Sequence, residues 1–404
     1  MKKNAAADMV IFGGGIAGLW LLNRLRHAGF SAMLFESSAL GGGQTHKSQG
    51  IIHGGMKYAL QGVLTKEASG MIDMPHLWKE CLEGCGEVDL SHVSILSSQH
   101  YLWSPSPFTS KLAGFLANAA LNSKVLAIKK ENYPPVFQHA AFKGEVFALD
   151  EMVLDVSSLI RELVKSNQDA IFKIEPLCEQ ALHLDQTGKL QSATVYFSGK
   201  SVEVTAQQFI FVAGSGNEVI IKKLKTADVA MQRRPLHMVL AKLPFHSPLY
   251  AHCLGFGARP RLTITTHYTQ EGSDVWYLGG QLAEEGVEKD SKTQIEAAQN
   301  ELRTLFPWLD FSRAEFSTFL IDRAEPLQKS GLKPENSYIK LIQNMVIAWP
   351  TKLALAPKLA EDILHEFQKI QILPRFFDIR ELRSWPMPPL AKPIWEDVFC
   401  KSVA

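Results

Sequence analysis

Residues 8 to 37, DMVIFGGGIAGLWLLNRLRHAGFSAMLFES, constrain this chain more than any other stretch. Met9 to Phe12 form an apolar run of buried-strand length, and glycines follow at once. Ile16, Leu19, Leu22 and Leu25 then recur near helical spacing as far as Gly29, a helix stop, and Ala32 to Phe35 give a second buried run. A strand, helix and strand of this kind begin a parallel sheet. The turn carries Gly13, Gly15 and Gly18 in G-x-G-x-x-G spacing. Gly13 permits the tight turn, Gly15 lets backbone approach a pyrophosphate, and Gly18 allows the helix to pack closely on the strand. The helix start at Ile16 and Ala17 adds free N–H groups and a positive dipole end. Glu36, at the end of the second run and followed by Ser37, stands where a carboxylate accepts hydrogen bonds from an adenosine ribose. A carboxylate there favours FAD or NAD over a 2'-phosphorylated cofactor.

The bulk properties exclude several classes of partner. A formal net charge of +1 gives no electrostatic footprint for nucleic acid, and the basic runs IIKKLK (220 to 225) and AIKK (127 to 130) are short and isolated. No apolar run reaches the length of a membrane-spanning helix. The N-terminal MKKNAAADMVIFGGG passes straight into a strand and a glycine loop, with no signal-peptide apolar region, so a cytoplasmic location is expected, with peripheral contact to the inner membrane left open. The cysteines Cys81, Cys85, Cys178, Cys253 and Cys400 are odd in number and scattered, unlike a disulfide framework. Cys81 and Cys85 lack a second pair to complete a zinc site and are expected to be reduced thiols on one helical face, and no metal is expected.

Further along, the spacing predicts helices around MPHLWKECLEG, PFTSKLAGFLANAAL and VSSLIRELVKS, and a strand at AIFKI. KLQSATVYFSGKSVEVTAQQFIFVAG has alternating runs on either side of a Ser-Gly-Lys turn, and its last strand, Phe209 to Val212, is apolar enough to lie inside the first sheet. PLHMVLAKL, RLTITTHY and DVWYLGGQL alternate, which predicts a second, antiparallel sheet with one more open face. An amphipathic helix through Ile295, Ala298, Leu302 and Leu305, the strand AEFSTFLIDRAEP, and a strand, turn and helix in NMVIAWPTKLALAPKLAEDILHEF follow. The proline-rich SWPMPPLAKPIW reads as a packed or extended arm.

After Glu36 the chain does not continue with another regular repeat. It runs SSALGGGQTHKSQGIIHGGMKY, a second loop of glycines, hydroxyls and amides in which Gly43, Gln44, Thr45, Ser48 and Gln49 can bond a phosphate before Gly50 and Ile52 lead the backbone past a flat ring. This stretch resembles the FAD-binding region of the D-amino acid oxidase-like superfamily. SQGIIHGGMKY is most similar to its hydroxyl-oxidising members, the glycerol-3-phosphate and L-2-hydroxyglutarate dehydrogenases. LDVSSLIREL, QQFIFVAGSGNE, RRPLHMVLAK, WYLGGQLAEEG and PTKLALAPKLAEDIL resemble later family segments in the family's order, over roughly residues 8 to 370.

The resemblance implies an α/β fold in which an FAD-binding Rossmann-like domain of the glutathione reductase type is interleaved with an antiparallel-sheet α+β substrate domain. The cofactor domain would comprise residues 1–80, 145–225 and 325–375, the substrate domain 81–144 and 226–324, and the arm 376–404. It further implies FAD contacts at Ala213 and Gly214, at Leu177 and Cys178 beside adenine, and at Thr351, Lys352 and Leu353 in the last flavin loop. The family's Gly-x-Arg-Pro appears here as IDRAEP, which sets Arg323 at the substrate-anion arginine.

Four residues are candidates for chemistry. His53, beside Gly54 and Gly55, can bond the cofactor or accept a substrate proton near neutral pH. Lys352, at the start of a helix, can stabilise negative charge on reduced flavin. Arg323 suits a carboxylate or phosphate. His267 shares a strand face with Arg261, Thr263 and Thr265 that is expected to look toward substrate. The expected activity is hydride transfer from a small anionic 2-hydroxy acid or polyol phosphate to flavin N5, with oxygen, a quinone or another acceptor taking the electrons. The alternatives are oxidation of an amino acid or secondary amine, a flavin-holding module without turnover, and a tRNA-modifying flavoenzyme, the last opposed by the even charge balance.

Overall fold

Residue order in the glycine-rich unit dictates the centre of the fold. In the computed structural model, which describes residues 3–54, 74–106, 125–225, 228–255, 260–328, 334, 336–375 and 377–399, strand β1 (Asn4–Phe12) leads through the turn to helix α1 (Ile16–His27) and strand β2 (Ala32–Glu36). Gly29, with φ +87°, closes the helix. β1 is longer than its apolar run. Ala5 and Ala7 are small enough to bury, and Asn4 to Ala7 pair with Glu203 to Ala206 of the strand Lys200–Phe211.

β1 lies between two parallel neighbours, β2 on one side and Lys200–Phe211 on the other. β2 pairs in parallel with Ile171–Lys173, and Lys200–Phe211 pairs in parallel with Met345–Trp349. Three antiparallel strands, Leu182–Leu184, Leu190–Phe197 and Tyr338–Ile342, complete eight among the described residues. Ser198 (φ +50°) and Gly199 (φ +74°) make the tight turn between Phe197 and Lys200. One face of this sheet buries Met9, Ile11 and Leu34 under α1 and the helices Met74–Leu82, Val156–Lys165 and Ala356–Lys369. The other buries Phe12, Phe35, Phe172, Phe209 and Phe211.

Among the described residues the second sheet also has eight strands, in the order Glu315–Pro326, Met231–Lys242, Asp274–Gly279, Leu262–Tyr268, Ala251–Cys253, His100–Ser104, Glu145–Leu149 and Val125–Ala127. All pairs are antiparallel except Ala251–Cys253 with His100–Ser104. The helix Ser291–Leu305 covers one face through Ala298, Leu302 and Leu305. A small sheet of Ile51–Ile52, Met152–Leu154 and Ile95–Ser97 completes the fold.

Several expectations are corrected. The second sheet has no open face at its centre, since every residue of Leu262–His267 and Asp274–Gly279 is buried. Its polar alternates are covered as well, His267 by the ring of Trp395. Arg261 precedes its strand and turns away to Glu301 on the covering helix, so it does not share the face of Thr263. Cys81 is buried within Met74–Leu82, whereas Cys85 follows the helix and is exposed. Both are free thiols, and burial pushes Cys81 up to about 11. The arm is packed: Pro389 and Ala391 bond Leu40 by their backbones, and Ile394–Phe399 is a short helix. PFTSKLAGFLANAAL and Gly55 lie outside the described residues. Among those residues no helix is long and apolar enough to cross a membrane.

Candidate active site

A cavity of about 600 Å³ runs from the glycine turn to the second sheet. Its floor follows from the lack of side chains at three positions. Gly13 has φ +119°, and a Cβ on it would lie 2.6 Å from Ala213 Cα. A Cβ on Gly15 would approach the Thr45 hydroxyl to 3.2 Å, and one on Gly18 would lie 1.9 Å from the Gly13 carbonyl oxygen. Gly13, Gly15, Ile16 and Ala17 line the cavity, which sets the positive end of α1 against it; Gly18 does not line it and acts through packing. Thr45 Oγ1 accepts from Ile16 N at 3.0 Å, so the second loop caps the helix that the first loop begins.

Glu36 also faces the cavity, anchored by backbone. Its Oε2 accepts from Gly14 N at 2.7 Å and its Oε1 from Ser38 N at 2.6 Å. Oε1 also accepts from Ser38 Oγ at 3.1 Å, which leaves Oε2 with capacity to accept a further hydroxyl hydrogen bond. Ser37, Gly43, Gln44, Thr45, Ser48, Gln49 and Gly50 line the same wall, and so does Lys47, which the sequence reasoning missed. Ile52 sits in the core behind it. The loop is fastened to the second sheet by Gln49 Nε2, which donates to Tyr277 O at 2.8 Å, and by Tyr277 OH, which donates to Lys47 O at 2.6 Å.

Across the cavity, Leu177 forms wall together with Ile174 and Pro176, which the sequence reasoning missed; Cys178 is exposed and does not line it. Ala213 and Gly214 line it and are held by Asn217, whose Oδ1 accepts from Ala213 N at 2.9 Å, and by Trp349, whose Nε1 donates to Gly214 O at 3.1 Å. Thr351, Lys352 and Leu353 enter just before the helix Ala356–Lys369. Thr351 holds a left-handed φ of +61° and donates its hydroxyl to Asn336 O at 2.9 Å.

The residues suit FAD. The cradle around Gly13 has no space for a Cβ, an anchored carboxylate stands at the end of β2, and Ser48 Oγ is buried at the wall without a hydrogen-bond partner among the described residues. Glycine turn, helix end and Glu36 would hold the adenosine diphosphate portion. Ser48 to His53 and Thr351 to Leu353 would border the remainder.

The second sheet contributes Leu236, Met238, Ile321, Arg323 and Ala324. Arg323 is half-buried and donates Nε to Arg234 O at 3.2 Å. Glu325 is engaged by Arg234, at 2.8 Å. No carboxylate lies in ion-pair distance of Arg323 among the described residues; burial, followed by the charge of Arg234, pushes its pKa down against the weaker pull of Glu325 and Glu284. His267 is displaced from its expected role. It is buried away from the cavity wall, stacked on Trp395 at 4.4 Å, and bonds Thr265 Oγ1 through Nε2 at 3.0 Å. Burial pushes it down to about 4.

His53 lines the cavity, and beside it is Glu151, a residue that no sequence motif indicated. The small sheet explains their meeting. Ile51 pairs with Val153 and Ile52 with Met152, and one step further along that antiparallel ladder His53 reaches Glu151. His53 Nδ1 lies 3.2 Å from Glu151 Oε2, and Gly54 N donates to Oε1 at 3.0 Å.

The comparisons agree with this geometry. The sequence profile of the family described as "FAD dependent oxidoreductase" (DAO) matches residues 8–326. The chain is 45% identical over 403 residues to the probable FAD-dependent oxidoreductase PA4991 of Pseudomonas aeruginosa, covering 99% of this chain and 100% of that protein. The crystal structure of PA4991 superposes with a TM-score of 0.85 over the same shares of both chains, at 41% identity by structure. Glycine oxidase from Geobacillus kaustophilus (13% identity, TM-score 0.61, 94% of this chain and 98% of that one) shares the fold. So does the L-alpha-glycerophosphate oxidase from Mycoplasma pneumoniae, solved with FAD bound (14%, 0.63, 95% and 99%). This chain belongs to the DAO family of FAD-dependent oxidoreductases, and FAD is its cofactor.

Proposed function

We propose that the enzyme oxidises a small anionic hydroxyl compound, a 2-hydroxy acid or a polyol phosphate, with oxygen, a quinone or another acceptor taking the electrons. Bound FAD supplies the two-electron chemistry by accepting hydride at N5. Arg323 carries the reading: a half-buried guanidinium on the cavity wall, without a carboxylate partner among the described residues, suits the paired oxygens of a carboxylate or phosphate. The sheet of parallel core strands would hold the cofactor, and the antiparallel sheet would present the substrate. His53 sits on the same cavity and can take a hydroxyl proton.

Anaerobic titration of the yellow protein with hydroxy acids, polyol phosphates and amino acids tests this. Bleaching of the oxidised-flavin absorbance by a hydroxyl compound is expected, and bleaching by amines alone overturns the reading. Arg323→Leu should raise KM for the reducing substrate about 100-fold, the loss of a charge-assisted pair, with a smaller change in kcat. Undiminished affinity for anionic substrate in that variant would remove Arg323 from the argument.

A further inference from the structure

We propose that Glu151 is the positioning residue that makes His53 a base, fixing its tautomer and holding the proton that it takes from a substrate hydroxyl. This rests on the reading of the cavity as a site of hydroxyl oxidation. The Glu151 side chain is only 3% exposed, against 27% for His53. Burial raises the pKa of Glu151, but the charge and hydrogen bond of His53, with the Gly54 N–H behind them, outweigh it and leave the group below the ordinary glutamate range. A carboxylate ionised at neutral pH can only accept. The hydrogen in the 3.2 Å contact therefore sits on His53 Nδ1, and Nε2 keeps its lone pair.

Among the described residues, the other titratable groups packed on the pair are imidazoles. His252 is stacked on His53 with ring centroids 5.8 Å apart and has its Nδ1 2.8 Å from Thr263 Oγ1. His100, 4.2 Å beyond His252, is fully buried and is driven down to about 3, so it is neutral at physiological pH. Glu151 is thus, among the described residues, the anion that meets an imidazolium forming at His53, and it lies on the side of the ring opposite the reacting nitrogen.

That arrangement fits alcohol oxidation. The substrate O–H bond breaks and its proton goes to His53 Nε2; the C–H bond breaks and its electron pair leaves with hydrogen as hydride to the oxidised flavin; the C=O bond forms. A hydroxyl ionises little at neutral pH, so a positioned base that takes its proton assists departure of the hydride. An amine can enter as free base and has no equivalent need.

The test reads His53 directly. Carbethoxylation of His53 in the holoenzyme, followed by peptide mass mapping across pH, gives its proton affinity without turnover. Glu151→Gln should lower that affinity about 10- to 100-fold, move the acid limb of kcat/KM to lower pH, and cut kcat about 100-fold with little change in KM; Glu151→Asp should restore much of each. An unchanged His53 affinity overturns the proposal even where hydroxyl substrates still bleach the flavin, which separates its failure from that of the wider reading. Should Glu151→Gln fail to fold, nitrogen-15 spectra of histidine-labelled wild-type protein decide: a proton on Nδ1 of neutral His53, assigned by loss of the signal in His53→Asn, supports the pairing, and one on Nε2 refutes it. Donor atoms of His53, Glu151 and His252 lie within 4.8 Å of one another, so one equivalent of a divalent cation in wild-type protein, lost in Glu151→Gln, would also overturn it.

Discussion

Gly18→Val protein should emerge from purification without FAD while keeping most of its helical signal. A Cβ at position 18 would stand 1.9 Å from the Gly13 carbonyl oxygen, far inside any contact that real Cβ atoms make, and the obstacle is backbone that cannot rotate away. To admit even one carbon, α1 must withdraw from the end of β1, carrying Ile16 and Ala17 off the cavity wall. The anchoring of α1 elsewhere is independent of that turn, since Leu19, Leu22 and Leu25 remain in the core beneath the helices Val156–Lys165 and Ala356–Lys369. Hence the cofactor should go first and the fold second. Gly29→Ala is the matched control. Nothing lies within 4 Å of its added Cβ, and its φ of +87° costs only about 1 kcal/mol of backbone strain, so flavin content should be unchanged. The ratio of flavin to protein absorbance measures both, and a Gly18→Val variant with full flavin would show that helix and strand can separate without loss of the site.

The second large effect should come from acid. His100 and His267 are buried, and burial drives their pKa values from 6.5 to about 3 and about 4. A folded value below the unfolded one means that the unfolded chain binds the extra protons. Stability is therefore complete above pH 6.5 and falls as pH drops toward 4, by roughly 2 kcal/mol per histidine at pH 5. Glu151 acts in a lower window, because its folded pKa lies below 4.5 and its contribution disappears only as that carboxylate is protonated. Urea midpoints should stay level from pH 7.5 to about pH 6.5 and fall steadily from there to pH 4.5, and His267→Gln should remove about one proton from the slope. A flat profile would mean that neither ring is held neutral.

The cofactor half of the site was legible because its constraints are local. Gly13, Gly15, Gly18 and Glu36 lie within one strand–helix–strand unit, and their spacing follows from a turn that leaves no space for side chains. The opposite wall was legible only in part. Leu236, Met238 and Ile321 look like ordinary strand residues, and only pairing between distant strands brings them to the cavity. Glu151 is invisible for the same reason, because it precedes a strand whose partner lies about a hundred residues earlier. His267 misled in the opposite direction. Alternation in RLTITTHY correctly set Thr263, Thr265 and His267 on one face, but a period of two cannot reveal that Trp395, near the end of the described chain, covers the last of them.

The spread of the cavity wall along the chain sets the order of events at the ribosome. Phe12 and Leu353 both belong to it, and β1 acquires its second parallel neighbour only with residues 200–211. An emerging polypeptide therefore carries a glycine turn whose cavity stays incomplete until residues near 353 have been made. Flavin capture would then follow synthesis through residue 353, and scarcity of the vitamin would strand colourless chains, the form most exposed to proteolysis.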